Sequence, residues 1–152
     1  MKQHILNRVQ EHYNEVVKYM GGRDDLVFGV FLYGSQNYGL DTPDSDVDTK
    51  AIVLPSIEDI ALNKKPISKE HYMNNGEHTN ITDFRLWMEQ LRKQNINILE
   101  SLFTGYCIIN PEYQDIYKEM VSHREDIAHY DVERAVASAY GITLSKYDYV
   151  SK

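Results

Sequence analysis

The sequence predicts an α+β fold, a small β-sheet drawn from the first half of the chain with helices dominating the second. Three observations predict it. Residues 26–33 form an almost continuous apolar run, short and rich in β-branched and aromatic residues, as in a strand buried on both faces. Strand-like segments are confined to the stretch before residue 85. Three- and four-residue apolar spacing marks the N-terminus and most of the chain beyond residue 84.

Taken in order, Ile5, Val9, His12, Tyr13, Val16, Val17 and Met20 share one face of a helix that Gly21-Gly22 stops. The strand at 26–33 ends at Gly34-Ser35. A polar stretch with Gly39 and Pro43 follows, then a second strand at 47–54 that Pro55 terminates. Ile57, Ile60 and Leu62 suggest a helical turn, while Lys64-Lys65-Pro66 and Met73-Asn74-Asn75-Gly76 read as surface loop and turn. A third strand occupies 77–84, where Thr79 and Ile81 alternate with polar neighbours. Helices are expected from Phe84, from Ile96 after a break at Gln94-Asn95, from Asn110-Pro111, and from Asp131, a plausible N-cap. The expected organisation is a core over 1–105 and a helical extension over 106–152. No closing signal follows the last helix, so the extension reads as truncated.

Composition narrows the classes of function. A net charge of -7, from 16 Lys plus Arg against 23 Asp plus Glu, argues against a protein that grips nucleic acid through a general positive surface. A single cysteine, Cys107, permits no disulfide within the chain and suits a reducing compartment. No apolar run approaches the roughly 18 residues that span a bilayer, so a cytoplasmic protein without membrane contact is expected. The six histidines show no zinc-site spacing.

The chemistry is concentrated between residues 32 and 48. Gly34 leaves room for a phosphate to approach the backbone, and Ser35 adds an N–H and a hydroxyl. Asp46 and Asp48, two apart where a strand opens, present carboxylates to one side while Val47 faces the core. Clustered oxygen ligands suit magnesium or manganese together with substrate phosphates. Asp41, Asp44, Asp46 and Asp48 could also decorate a solvated turn beside Pro43. Against that, carboxylates running directly into an apolar strand are expensive unless used.

Gly34-Ser35, Gly39 and Ser45-Asp46-Val47-Asp48 resemble the Gly-Ser…Gly…Ser-Asp-x-Asp signature of the DNA polymerase beta-like nucleotidyltransferase superfamily. With Asp44-Ser45-Asp46, Phe84-Arg85 and the run from Asn95 to Phe103, the chain looks like the bacterial and phage nucleotidyltransferases proposed to act in RNA repair, over roughly residues 26–105. The resemblance implies a small mixed sheet flanked by helices and two divalent ions, Mg2+ or Mn2+. It implies transfer of a nucleoside monophosphate from a triphosphate, expected to be ATP, to an acceptor hydroxyl on an RNA end, a small molecule or a protein, with release of pyrophosphate. Asp46 and Asp48 would hold the metals, and Gly34, Ser35, Ser45 and Lys50 would contact the nucleotide. The family pattern also requires a third carboxylate on a later strand. Asp83, at the end of the third strand, is the first choice and Glu77 the second, although Asp83 also reads as a helix N-cap. His78 stands where close relatives should carry an acid. An alternative reading therefore keeps the fold as an inactive nucleotide-binding or antitoxin-like interaction module. Lys50 could instead form an ion pair with Asp48, Arg85 and Lys93 are weaker candidates for the triphosphate, and Tyr38 is the tyrosine best placed to touch substrate.

Overall fold

A computed structural model describes residues 2–40 and 45–150, with the side chains of 146 and 148–150 excepted. Asp41, Pro43 and Asp44 of the acidic turn lie outside the described residues. The first helix, α1 (Gln3–Tyr19), buries Ile5, Val9, His12, Tyr13 and Val16 along one face. It ends as its sequence dictates: Gly21 and Gly22 take left-handed φ values of 70° and 80°, and their N–H groups return to Lys18 O and Val17 O, each at 2.9 Å.

Strands β1 (Val27–Tyr33) and β2 (Asp48–Val53) form the centre of a five-stranded sheet. After a short helix, α2 (Ile57–Ala61), capped by Ser56, the chain makes the hairpin β3 (Ser68–Tyr72) and β4 (His78–Asp83) and enters α3 (Phe84–Arg92) and α4 (Ile96–Leu99). A short edge strand, β5 (Cys107–Ile109), precedes α5 (Gln114–Ser122), α6 (Arg124–Ala128) and α7 (Val132–Val150). The order is β3-β4-β2-β1-β5, with β2 and β4 parallel and every other neighbour antiparallel. The expected mixed sheet flanked by helices is present.

Alternation along the strands builds two cores. Val30, Leu32, Ala51, Val53 and Ile81 face α1. Phe28, Phe31 and Ile52 face the opposite side, against Trp87, Leu91, Leu99, Leu102 and Tyr117. Trp87 is fully buried, and its indole N–H donates to Ser101 Oγ at 3.1 Å, so the ring fills this layer without leaving its polar atom unpaired.

Two strands escape sequence reading. β3 is a charged edge strand, Ser-Lys-Glu-His-Tyr, solvated along nearly its whole length. β5 has three residues, too few for a periodic signal. It pairs with β1, and Tyr117 of α5 sits in the second core, so packing is continuous across the boundary expected at residue 105. Among the described residues no helix is long and apolar enough to cross a membrane.

Candidate active site

Because β1 and β2 are antiparallel, the end of one lies beside the start of the other, and Tyr33 pairs with Asp48. Gly34 follows with φ 82° and ψ -156°, a conformation open in practice only to glycine. A Cβ there would meet Asp48 Oδ2 at an ordinary 3.5 Å, so backbone conformation rather than space demands the glycine. Ser35 is exposed and opens a 3-10 turn over Ser35–Tyr38, closed by Asn37 N–H donating to Gly34 O at 3.0 Å. Two residues that sequence reasoning missed fasten this turn. The Gln36 amide donates to Ser45 O at 3.1 Å, tying the Gly-Ser turn to the approach of the aspartates. Asn37 donates to Glu100 Oε1 at 3.4 Å and accepts from Thr104 Oγ1 at 2.7 Å.

Val47 is buried on the α1 side while Asp46 is exposed and Asp48 half-buried, so the alternation expected from the spacing holds. Burial pushes the Asp48 carboxyl above its ordinary range; His78 pulls it down and Asp46 pushes it up again. The net result is a carboxylate short of positive charge. Asp48 Oδ1 lies 3.1 Å from His78 Nδ1 on the neighbouring parallel strand. The side chain facing Asp48 from β4 is thus an imidazole, at the place where the resemblance expects an acid.

Neither candidate for a third carboxylate reaches this point. Asp83 lies five residues further along β4, roughly 16 Å away at strand rise. Its Oδ1 accepts Arg85 N–H at 2.8 Å and its Oδ2 accepts Arg85 Nη2 at 2.7 Å, so Asp83 caps α3. Its placement in the site is corrected accordingly, for a strand parallel to β2 brings its beginning, not its end, to Asp48. Replacing Asp83 with Ala should lower stability by about 1 kcal/mol, the cost of an N-cap, and leave the geometry around Asp46 and Asp48 unchanged; thermal melting and the NMR shifts of residues 46–48 check the two halves.

Glu77 precedes His78 and therefore points to the opposite face. Its carboxylate accepts from Arg8 Nη2, from His12 Nε2 at 2.9 Å, from Asn75 Nδ2 at 2.9 Å and from Val47 N–H at 3.4 Å. Burial pushes Glu77 up, but the hydrogen bonds from His12, Asn75 and Arg8 outweigh it and bring the group to about 2. His12 is fully buried, and burial lowers its pKa, so the ring is neutral; Nε2–H donates to Glu77 and Nδ1 accepts from Thr49 Oγ1 at 2.8 Å. This network grips the backbone between Asp46 and Asp48 from behind.

Lys50 shares the face of Asp48 but does not pair with it. Its Nζ donates to Asn97 O at 3.0 Å and sits 3.9 Å from the centre of the Tyr33 ring. Burial lowers its pKa to about 8, partly opposed by Glu100. Glu100 also receives the Tyr38 hydroxyl, and burial together with that hydrogen bond raises the tyrosine. Arg85 and Lys93 are committed elsewhere, to Asp83 and Glu89.

Among the described residues no three carboxylate, imidazole or thiolate groups converge to hold a metal. The donors that are present still fit a hard divalent cation. Asp46 and Asp48 supply two carboxylates and leave the rest of the coordination sphere to phosphate oxygens and water, the arrangement Mg2+ prefers at nucleotide sites.

A mixed sheet with a Gly-Ser turn closing one strand and an Asp-x-Asp pair opening its antiparallel neighbour defines a nucleotidyltransferase-like domain. The sequence model of the RNA repair pathway DNA polymerase beta family (RlaP) matches residues 1–140, and the chain belongs to this family. Among curated proteins none matches the chain.

Proposed function

We propose that the protein is a divalent-metal-dependent nucleotidyltransferase that moves a nucleoside monophosphate from a triphosphate, ATP first, to an acceptor hydroxyl on an RNA end. The observation that supports this reading is the apposition of Gly34 to Asp48: a turn able to receive phosphates abuts a carboxylate held above its ordinary range. Gly34 and Ser35 would hold the β- and γ-phosphates through backbone N–H groups and the Ser35 hydroxyl, with Ser45 flanking them. Asp46 and Asp48 would hold Mg2+ or Mn2+, which supplies charge neutralisation and activation of the attacking oxygen when bound. In the transfer, the acceptor oxygen bonds to the α-phosphorus. The bond from that phosphorus to the bridging oxygen breaks, and pyrophosphate leaves with its electron pair. The acceptor proton passes to the His78 ring, the base nearest Asp48 on β4.

His78 in place of an acid also favours a second reading, in which the same fold binds a nucleotide or a partner protein without transferring anything. Incubation with α-phosphate-labelled ATP and a short RNA separates the two. Label on the RNA with stoichiometric pyrophosphate, abolished by EDTA, supports transfer. Bound nucleotide with no pyrophosphate released supports the binding module.

A further inference from the structure

A polar cleft of about 300 Å³ opens beside the site, floored by β2, β4 and β3 and walled by α3 and α4. One row of the sheet crosses its floor: Glu70 of β3 lies opposite Asn80 of β4, which lies opposite Lys50 of β2. Lys50 is two residues along the strand from Asp48, so this row begins roughly 7 Å from the carboxylate pair. Thr82 lies one step further along the same face, and Gln90 and Asn97 look in from the helices.

The hydrogen bonds already made determine which atoms remain for a ligand. The Thr82 hydroxyl donates to Asn80 Oδ1 at 2.7 Å, which fixes the carboxamide and leaves its NH2 as a donor. The Tyr72 hydroxyl donates to Glu70 Oε2 at 2.9 Å, leaving Oε1 as an acceptor. On adjacent strands the cleft therefore sets an amide donor beside a carboxylate acceptor, with the Gln90 carboxamide offering both across the gap. A hydroxyl group is the ligand that satisfies such a pair, donating to one and accepting from the other. The cleft carries one carboxylate against one ammonium, and that ammonium is already engaged by Asn97 O and the Tyr33 ring. It is therefore unlike the phosphate turn at Gly34 and suits a neutral, hydroxylated group. Its volume lies at the low end for ligand sites and matches a single sugar unit rather than a long segment of nucleic acid.

We infer that this cleft binds the terminal ribose of the acceptor through its 2′- and 3′-hydroxyls, with Asn80, Glu70 and Gln90 reading the diol and directing one hydroxyl toward Asp46 and Asp48. The inference rests on the nucleotidyltransferase reading for its direction of transfer, though the ribose site stands or falls separately. A terminal ribose is distinguished from deoxyribose by its 2′-hydroxyl, so the cleft selects RNA at the acceptor end.

The test is titration calorimetry of the dinucleotide ApA and its deoxy counterpart dApdA into the full chain. Mg2+ and a saturating α,β-methylene analogue of ATP are present, so that the Gly34–Asp48 site is filled. ApA should bind at least tenfold more tightly than dApdA. Asn80→Ala and Gln90→Ala, made separately, should each reduce that preference below threefold while leaving affinity for the ATP analogue as in the native chain. Retained analogue affinity also certifies that a variant is folded, and Gln90, on a helix surface, serves if the strand residue is not tolerated. Equal binding of the two dinucleotides, or a preference that survives both substitutions, would overturn the assignment. If the analogue itself fails to bind the native chain, the transferase reading falls, and the ribose preference measured without it still decides the cleft.

Discussion

Asp48→Asn should reduce nucleotidyl transfer on the order of a thousandfold, the scale on which removal of one preorganised charged or dipolar group acts in a transition state. The amide keeps the shape of the side chain, and its oxygen can still accept from His78, so the loss reports charge rather than architecture. Stability should move the other way. The folded chain holds the Asp48 carboxyl above its ordinary value, chiefly by burial and with repulsion from Asp46 adding to it, so at neutral pH the ionised form is disfavoured by folding. Removing the charge should therefore leave the melting temperature unchanged or higher. Pyrophosphate release and a thermal melt on the same preparation check both halves; a variant that loses activity by unfolding would show a depressed melting temperature.

Glu77→Ala should cost roughly 1–3 kcal/mol, the range for leaving buried hydrogen-bonding groups without a partner, because neutral His12 and Val47 N–H lose their shared acceptor while Arg8 keeps Glu11. The same network gives the native protein an acid-sensitive stability. Glu77 is ionised in the folded chain down to about 2, against an ordinary value of 4.5. Its contribution is fully present above the ordinary value and is lost as pH falls from there through about 2. His12, held neutral by burial, adds an earlier loss: below its ordinary 6.5 the unfolded chain takes up a proton that the folded chain refuses. Denaturant melts from pH 7 downward should show stability declining in both windows, with the lower decline smaller in the Glu77 variant and what remains coming from carboxylates such as Asp59, which its bonds from Ser56 and Lys64 also hold low.

The parts of the fold that sequence reveals are those where one physical cause dominates. β1 is legible because every residue but the last is buried, and α1 because its buried residues recur at helical spacing before two glycines. Asn110 caps the 3-10 turn Pro111–Tyr113 that leads into α5, and Asp131 caps α7, accepting from Glu112 N–H and Arg134 N–H. β3 is invisible because its stability comes from backbone pairing with β4 rather than from its own side chains. α6 is missed because its five residues carry no full amphipathic repeat.

The site divides in the same way. Gly34, Asp46 and Asp48 can be read from local spacing, since a strand end and a strand start carry them. The partner facing Asp48 cannot, because it depends on strand direction. A strand antiparallel to β2 would have brought its far end, Asp83, to the aspartates, whereas the parallel pairing observed brings His78. Glu77 and His78 are neighbours in sequence on opposite faces of the sheet, and pleating alone decides which of them faces the site. Gln36, Asn37, Glu100 and Thr104, which fasten the Gly-Ser turn, act across up to 67 residues and leave no periodic trace.

In the proposed reaction the Gly34-Ser35 turn and the Asp46–Asp48 pair would together hold a metal-bound triphosphate. Calorimetric titration of each nucleoside triphosphate with and without Mg2+, into the native chain and into an Asp46→Ala/Asp48→Ala double variant, tests it most directly. The expected result is binding that requires Mg2+ in the native chain, tightest for ATP, and is lost in the variant. Binding that is equal in the two chains, or absent from both, would contradict the claim.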